Sequence, residues 1–171
     1  IRSCLVGSEM CIRDSSGTSS VYLGRSHEAL PFLERVVDSY SPELHAHHAL
    51  MFGKDPLTVA MVHRAMVYAQ RGQTEDAFAT AEAALQQGEA SQHPFSRLWS
   101  MIGLAIVACV VGDYAIAGML GSQIISQAEQ QGFPNWLAQG QIYLGLFESL
   151  RAQREGAARA VAGLELWEAT G

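Results

Sequence analysis

Three X-Pro pairs divide this chain at nearly equal intervals. Pro56, Pro94 and Pro134 follow one another at spacings of 38 and 40 residues, and each opens an apolar stretch with helical periodicity. Proline is favoured in the first turn of a helix, where its missing N–H has no intrahelical partner to lose. A repeat of this length predicts a stack of helical hairpins, because one hairpin alone cannot bury its apolar face.

Glycines mark the predicted turns inside the hairpins, at Gly24, Gly72 and Gly112. An alanine follows each of them by five residues, and another apolar residue follows by twelve. These residues are Ala29, Ala77 and Ala117, and then Val36, Ala84 and Ile124. A small side chain at a fixed position lets neighbouring helices approach closely. The pattern predicts second helices whose small residues face inward.

Helix limits follow from the turn and cap residues. We expect no more than eight elements, all helical, including one over residues 27–40 with Pro31 near its start and a short one over 43–52. Thr74 is the predicted N-cap of the next second helix, and Gly88 is a predicted C-terminal stop. Gly132 is predicted to stop the helix over 115–130. The last second helix carries Ala157, Ala160, Val161, Leu164 and Trp167 at helical spacing.

The N-terminal segment does not fit the repeat. Residues 5–14 match the translation of a transposase-type sequencing adapter, and charged residues interrupt them too early for a secretory signal. We therefore interpret 1–15 as an artefactual, non-native segment and 16–171 as one helical-repeat domain, a fragment of a larger protein. Residues 16–20 are expected to be a flexible lead-in. The helix over 27–40 would then have an open apolar face, which predicts self-association or poor stability through uncapped ends.

Composition excludes several classes of function. The formal net charge is -6 and Lys54 is the sole lysine, so a surface for nucleic acid or for an acidic membrane is not expected. The apolar segment from Leu98 to Val111 is shorter than the roughly 20 residues of a membrane span and is interpreted as a buried helix. With 1–15 set aside, Cys109 is the remaining cysteine, which is consistent with a reducing, cytoplasmic location.

Side chains that could carry chemistry are few. His45, His47 and His48, with Asp55 and His63 near them in sequence, form the single candidate metal cluster, but their spacing matches no standard ligand set. We interpret them as solvated or loop-packing residues. Gly53-Lys54 lacks the flanking residues of a phosphate-binding loop. We therefore assign no catalytic residue, no cofactor and no metal.

The turn segments resemble those of tetratricopeptide repeats. Residues 23–30 and 71–78 are similar to that family's turn and the small residue of its second helix, and Tyr68 stands at its aromatic position. The resemblance implies an all-α, right-handed α-solenoid of antiparallel helical hairpins. The spacing of 38–40 residues departs from the family's 34. Ala152 also stands where the fourth turn glycine is expected, so that turn can differ in backbone shape.

A narrower resemblance covers most of residues 22–170. The segments 40–45, 52–56, 132–137 and 166–171 are similar to the C-terminal repeat region of large bacterial signalling proteins that combine a class III adenylate or guanylate cyclase domain with an AAA or STAND ATPase. The resemblance implies a non-catalytic regulatory or interaction module whose partner is a protein, a peptide or the upstream effector domains of the same chain. The alternative is an effector-sensing tail of an ATPase-linked transcription activator.

The tetratricopeptide pattern also implies a binding groove lined by first helices. The corresponding positions here are Val59, Val62, Met66, Trp99, Ile102, Ile106, Tyr143 and Phe147. Such a groove would take a helix or an extended peptide. The alternative is that these side chains pack against the adjacent hairpins.

Overall fold

Helices make up nearly all of the computed structural model, which describes residues 15–45 and 47–170 except the side chain of Phe52. In chain order they are α1 (15–22), α2 (Ser26–Ser39), α3 (Pro42–His45), α4 (His48–Phe52), α5 (Pro56–Gln70), α6 (Thr74–Ala90), α7 (Pro94–Val111), α8 (Tyr114–Gln131), α9 (Pro134–Leu150) and α10 (Arg154–Ala169). No strand occurs among the described residues, which confirms the all-α prediction. The expectation of at most eight elements was wrong, because 43–52 is divided between α3 and α4 and residues 15–22 are helical.

The turns inside the repeats share one backbone conformation. Gly24, Gly72, Gly112 and Ala152 all have positive φ, at 72°, 74°, 88° and 55°. The N–H of the residue after each of them bonds to the carbonyl five residues earlier, at N···O distances of 2.8 to 3.0 Å. This is the Schellman ending of a helix, which requires the left-handed region. Ala152 therefore keeps the shape of the glycine turns, although alanine adopts it at a cost.

A second series of left-handed residues precedes the prolines. Gly53, Gln92 and Gly132 have φ values of 69°, 52° and 69°. Gly132 ends α8 as predicted, and the N–H of the following residue bonds to the Ala128 carbonyl at 2.9 Å. The two series together confirm the 40-residue register at the level of the backbone.

Two predicted helix limits in α6 were wrong. Thr74 is the first helical residue, and Gln73 holds the cap position without a side-chain hydrogen bond. Gly88 does not stop the helix, which continues to Ala90. A Cβ at Gly88 would lie 2.5 Å from Ser100 Oγ in α7, so this glycine serves close packing. Glycine suits both roles, and the sequence alone does not distinguish them.

Replacing Ala152 by glycine is expected to stabilise the protein by about 0.5–1 kcal/mol. The left-handed conformation costs a non-glycine residue about 1–2 kcal/mol, and part of that gain is offset by the greater freedom of glycine in the unfolded chain. Urea unfolding measures the difference. The matched control is Gly72→Ala, where no heavy atom lies within 4 Å of an added Cβ and the loss arises from the backbone alone. An unchanged or lower stability of the Ala152→Gly variant would contradict the shared turn.

The chain divides into two compact units, unit 1 through Gly103 and unit 2 from Leu104. In unit 1, α5 packs against α2 and α6. The apolar face of α2 is closed, since Ala29, Leu33 and Val36 are fully buried. The expectation that this face is open was wrong, and so was the flexible lead-in. Residues 16–20 are helical, and Gly17 lies against Leu33, because the missing side chain lets α1 approach.

In unit 2, glycines bring the helices into backbone contact. A Cβ on Gly121 of α8 would lie 2.8 Å from the Gly140 carbonyl oxygen of α9, and one on Gly140 would lie 2.9 Å from the Gly121 carbonyl oxygen. The contact between α9 and α10 repeats the arrangement with Gly145 and Gly156, where the corresponding closest backbone atoms lie at 2.5 and 2.4 Å. Packing this close excludes any side chain at the four positions.

Helix α7 is 18 residues long, longer than the predicted segment because it begins at Pro94. By length and composition it could cross a membrane, and 56% of its residues are buried within the structure. Buried helices of soluble proteins share these properties. Ser100, its polar residue near the centre, is fully buried and donates a hydrogen bond to the Arg97 carbonyl at 2.7 Å, so its hydroxyl is satisfied within the helix.

Candidate functional site

An open cleft of about 480 Å³ lies at one end of unit 2. It is lined by two segments whose turns are one repeat apart, residues 111–115 around Gly112 and residues 147–151 before Ala152. Exposed apolar side chains surround it, with Tyr114 at 37% and Leu150 at 58% exposure. The common register of the two turns brings these side chains together, because neighbouring repeats place equivalent turns side by side.

The cleft combines an aromatic surface with a cation. The Arg151 guanidinium lies 5.5 Å from the centre of the Phe147 ring, a cation–π distance. The Phe147 ring itself is held over Gly118, where a Cβ would come within 2.4 Å of it. Asp113 accepts a hydrogen bond from the Ile116 N–H at 3.2 Å and caps α8. The arrangement can hold an apolar side chain with a carboxylate beside it.

The predicted groove residues fall into two groups by burial. Val59, Val62, Met66 and Ile102 are buried at 7% exposure or less, so their side chains belong to the core of the structure. Val62 is covered by Gly103 of α7, where a Cβ would lie 2.6 Å away. Trp99, Ile106, Tyr143 and Phe147 are half-buried. Of the eight predicted residues, Phe147 is the one that lines the cleft; a groove along the first helices stays a prediction.

The candidate metal cluster lies around Asp55 in unit 1. Asp55 is 1% exposed and caps α5, accepting hydrogen bonds from the Thr58 N–H at 2.9 Å, the Thr58 hydroxyl at 2.6 Å and Gln87 Nε2 at 3.2 Å. Burial, with the charge of Asp55 and a hydrogen bond to it, raises the pKa of Tyr40 to about 12. This network fixes the start of α5, which explains why aspartate precedes Pro56.

The histidines pack beside this network. His45 is buried and its Nδ1 accepts the Ser41 N–H at 2.9 Å, while its ring centre lies 5.1 Å from that of His48. Burial lowers the pKa of His48, and the nearby His47 and His45 lower it further. Within residues 15–45 and 47–170, no three His, Cys, Asp or Glu side chains are arranged to hold a metal ion.

His63 occupies a separate buried position between aromatic rings. It is 1% exposed, and its ring centre lies 5.7 Å from that of Tyr22 and 5.6 Å from that of Trp99. Its Nδ1 donates to the Val59 carbonyl at 2.8 Å, since a carbonyl can only accept. Burial lowers the pKa of His63 to about 4, against the opposing effect of this hydrogen bond. The imidazole is therefore neutral at physiological pH.

Sequence reasoning missed three of the side chains that form the cleft. Tyr114, Leu150 and Arg151 flank the turns at Gly112 and Ala152. The available signal was the repeat register, which set these two turns one period apart. Nothing in the sequence indicated that the side chains on either side of the turns would remain exposed around a cleft.

Comparison with protein-family models, with curated proteins and with solved structures finds no match to this chain. Its function is therefore argued from the repeat register and from the geometry of its surfaces.

Proposed function

We propose that the chain is a non-catalytic, tetratricopeptide-like repeat module that binds a protein or peptide partner and regulates a bacterial signalling ATPase or nucleotide cyclase. The cleft at Phe147 and Arg151 is the observation that carries the binding function. The regular turn series supports a solenoid of hairpins, and the resemblance of residues 22–170 to the tails of such signalling proteins supports the regulatory role.

The shape of the cleft favours a peptide over a small effector. Pockets for small molecules enclose most of the ligand surface. Here Leu150 and Tyr114 stand exposed at the rim, and the cleft is open to solvent along its length. A linear peptide can place one apolar side chain on Phe147 and a carboxylate against Arg151, with the rest of its chain crossing the surface.

Replacing Arg151 by glutamate is expected to weaken peptide binding at least about tenfold, because a charge-assisted hydrogen bond becomes a like-charge repulsion. The probe is a displayed library of short linear peptides selected on the unaltered protein, and binding is measured by fluorescence anisotropy. Arg154→Glu is the matched control, since Arg154 is also exposed and lies outside the cleft. No enrichment from the library, or equal affinity for the Arg151→Glu variant, would reject the cleft as the binding site.

The regulatory role is tested separately by sequencing the intact gene upstream of the codon for Ser16. We expect a cyclase or ATPase domain continuous with Val21-Tyr22-Leu23-Gly24 and no adapter-like residues. A gene without any nucleotide-hydrolysing or cyclase domain would reject the regulatory role. A helix-turn-helix domain in place of a cyclase would favour the transcription-activator alternative.

A further inference from the structure

One face recurs on the second helix of successive repeats. It consists of the positions 5, 9, 12 and 16 residues after the left-handed turn residue, and we call it the stacking face. In α2 the first three positions are Ala29, Leu33 and Val36; in α6 the four are Ala77, Ala81, Ala84 and Gly88; in α8 they are Ala117, Gly121, Ile124 and Ala128. All eleven residues are buried.

In these repeats the stacking face binds the next long helix in the chain. Gly121 of α8 lies against Gly140 of α9, and Gly88 of α6 lies against Ser96 and Ser100 of α7. Helix α2 likewise packs on α5. The stacking face is therefore a helix-binding surface wherever the structure shows it covered.

The stacking face of α10 is exposed. Its residues are Ala157, Val161, Leu164 and Glu168, with Val161 and Leu164 each at 53% exposure. Trp167, at 43%, lies beside Leu164 on the same side of the helix. The contacts of α10 with α9 use other positions, Gly156, Ala160 and Gly163, so packing within this pair leaves the face uncovered. A row of exposed apolar side chains marks an interaction surface.

The C-terminal end of this face differs from its counterparts in charge. At position 16, α6 has Gly88 and α8 has Ala128, whereas α10 has Glu168. At position 13, beside the face, the earlier helices have Val37, Leu85 and Ile125, whereas α10 has Glu165. Both glutamates are exposed. The surface thus has an apolar centre and an acidic end.

We propose that the stacking face of α10 binds an amphipathic helix of a partner protein that carries a lysine or arginine in its first turn. The apolar centre continues the helix-binding surface of the earlier repeats. The orientation follows from α7, whose first turn places Ser96 against Gly88, the residue equivalent to Glu168. The partner's first turn therefore meets Glu168 and Glu165, where its basic side chain and the positive end of its helix dipole complement the carboxylates.

This surface is separate from the cleft at Phe147, so the inference goes beyond the function proposed above. An Arg151→Glu substitution is expected to leave it unchanged. Loss of peptide binding at the cleft and loss of helix binding at α10 can then be told apart in one set of variants.

The probe is a fluorescein-labelled peptide with the 17-residue sequence of α9, in which Trp136 is replaced by lysine. Trp136 is the third residue of α9, as Ser96 is of α7. A hydrocarbon staple on the outward face holds the peptide helical, which removes the entropic cost of folding on binding. Anisotropy is measured against the full chain, and a second peptide with glutamate at the same position tests the charge.

We expect the lysine peptide to bind, and the glutamate peptide to bind at least about fivefold more weakly. Leu164→Glu should reduce affinity at least about tenfold, since it places a charge in the apolar centre. Met119→Glu is the matched control: Met119 is 55% exposed on α8 in the same unit, and its replacement should change nothing. Val161→Glu provides a second test if the Leu164 variant does not fold.

Three results would overturn the proposal. The lysine peptide fails to bind at millimolar concentration, or it binds the Leu164→Glu and Val161→Glu variants as tightly as the unaltered chain, or the two peptides bind equally. Sedimentation showing a dimer that Leu164→Glu converts to a monomer would assign the face to a second copy of this chain instead.

Discussion

Replacing Gly145 by alanine is expected to destabilise unit 2 by about 3 kcal/mol, although alanine is the better helix former by about 1 kcal/mol. The added Cβ would lie 2.5 Å from the Ala160 backbone nitrogen and 2.6 Å from the Gly156 carbonyl oxygen of α10. These are backbone atoms, and they cannot move aside by changing a rotamer. The two helices must separate, which removes contacts along their whole length.

The measurement is urea unfolding followed by the fluorescence of Trp136 and Trp167, which both lie in unit 2. Ala158→Gly is the matched control, because Ala158 is exposed on α10 and its change measures helix propensity alone. We expect that control to lose about 1 kcal/mol. A Gly145→Ala variant as stable as the unaltered protein would show that α9 and α10 do not approach this closely.

Lowering the pH from 7 to 4 is expected to remove about 3 kcal/mol from the stability of unit 1 through His63. The pKa of His63 falls from its ordinary value of 6.5 to about 4 on folding, because burial disfavours the charged imidazole. Below pH 6.5 the unfolded chain therefore binds a proton that the folded chain does not. The stability is complete above pH 6.5 and is lost progressively as the pH falls towards 4, by about 1.4 kcal/mol for each unit of pKa.

A variant with Trp136 and Trp167 changed to phenylalanine leaves Trp99 to report on unit 1. Its unfolding is compared at pH 7, 5.5 and 4 with that of the same variant carrying His63→Gln. The difference between the two isolates His63 from His48, whose pKa is also lowered, and from Lys54, which adds to the effect on His63. Parallel loss of stability in both proteins would show that His63 is protonated in the folded state.

The repeat register could be read from the sequence because local chemistry sets it. Left-handed turn residues favour glycine, and helix N-termini accept proline, so Gly72 and Pro94 mark their positions without reference to the rest of the fold. Ala152 was found by the same counting, and its φ of 55° shows that the register determines the turn even without glycine.

Burial could not be read in the same way, because it depends on which helix lies opposite. Val62 has the periodicity of a groove residue, but Gly103 of α7 lies against it and closes it into the core. Ala157 and Leu164 occupy the same register positions as buried residues of α6 and α8, yet both are exposed. Periodicity identifies the face of a helix, and only tertiary structure shows what covers that face.

The exposed stacking face of α10 makes molecular recognition and array length compete for one surface. A partner helix seated there would occupy the place that the first helix of one more hairpin takes elsewhere in the chain. Duplicating a 40-residue repeat at this point would therefore close the present site and open a new one on the added second helix. The specificity of the new site would depend on which residues replaced Glu165 and Glu168, so partner choice can change by recombination of whole repeats as well as by point mutation.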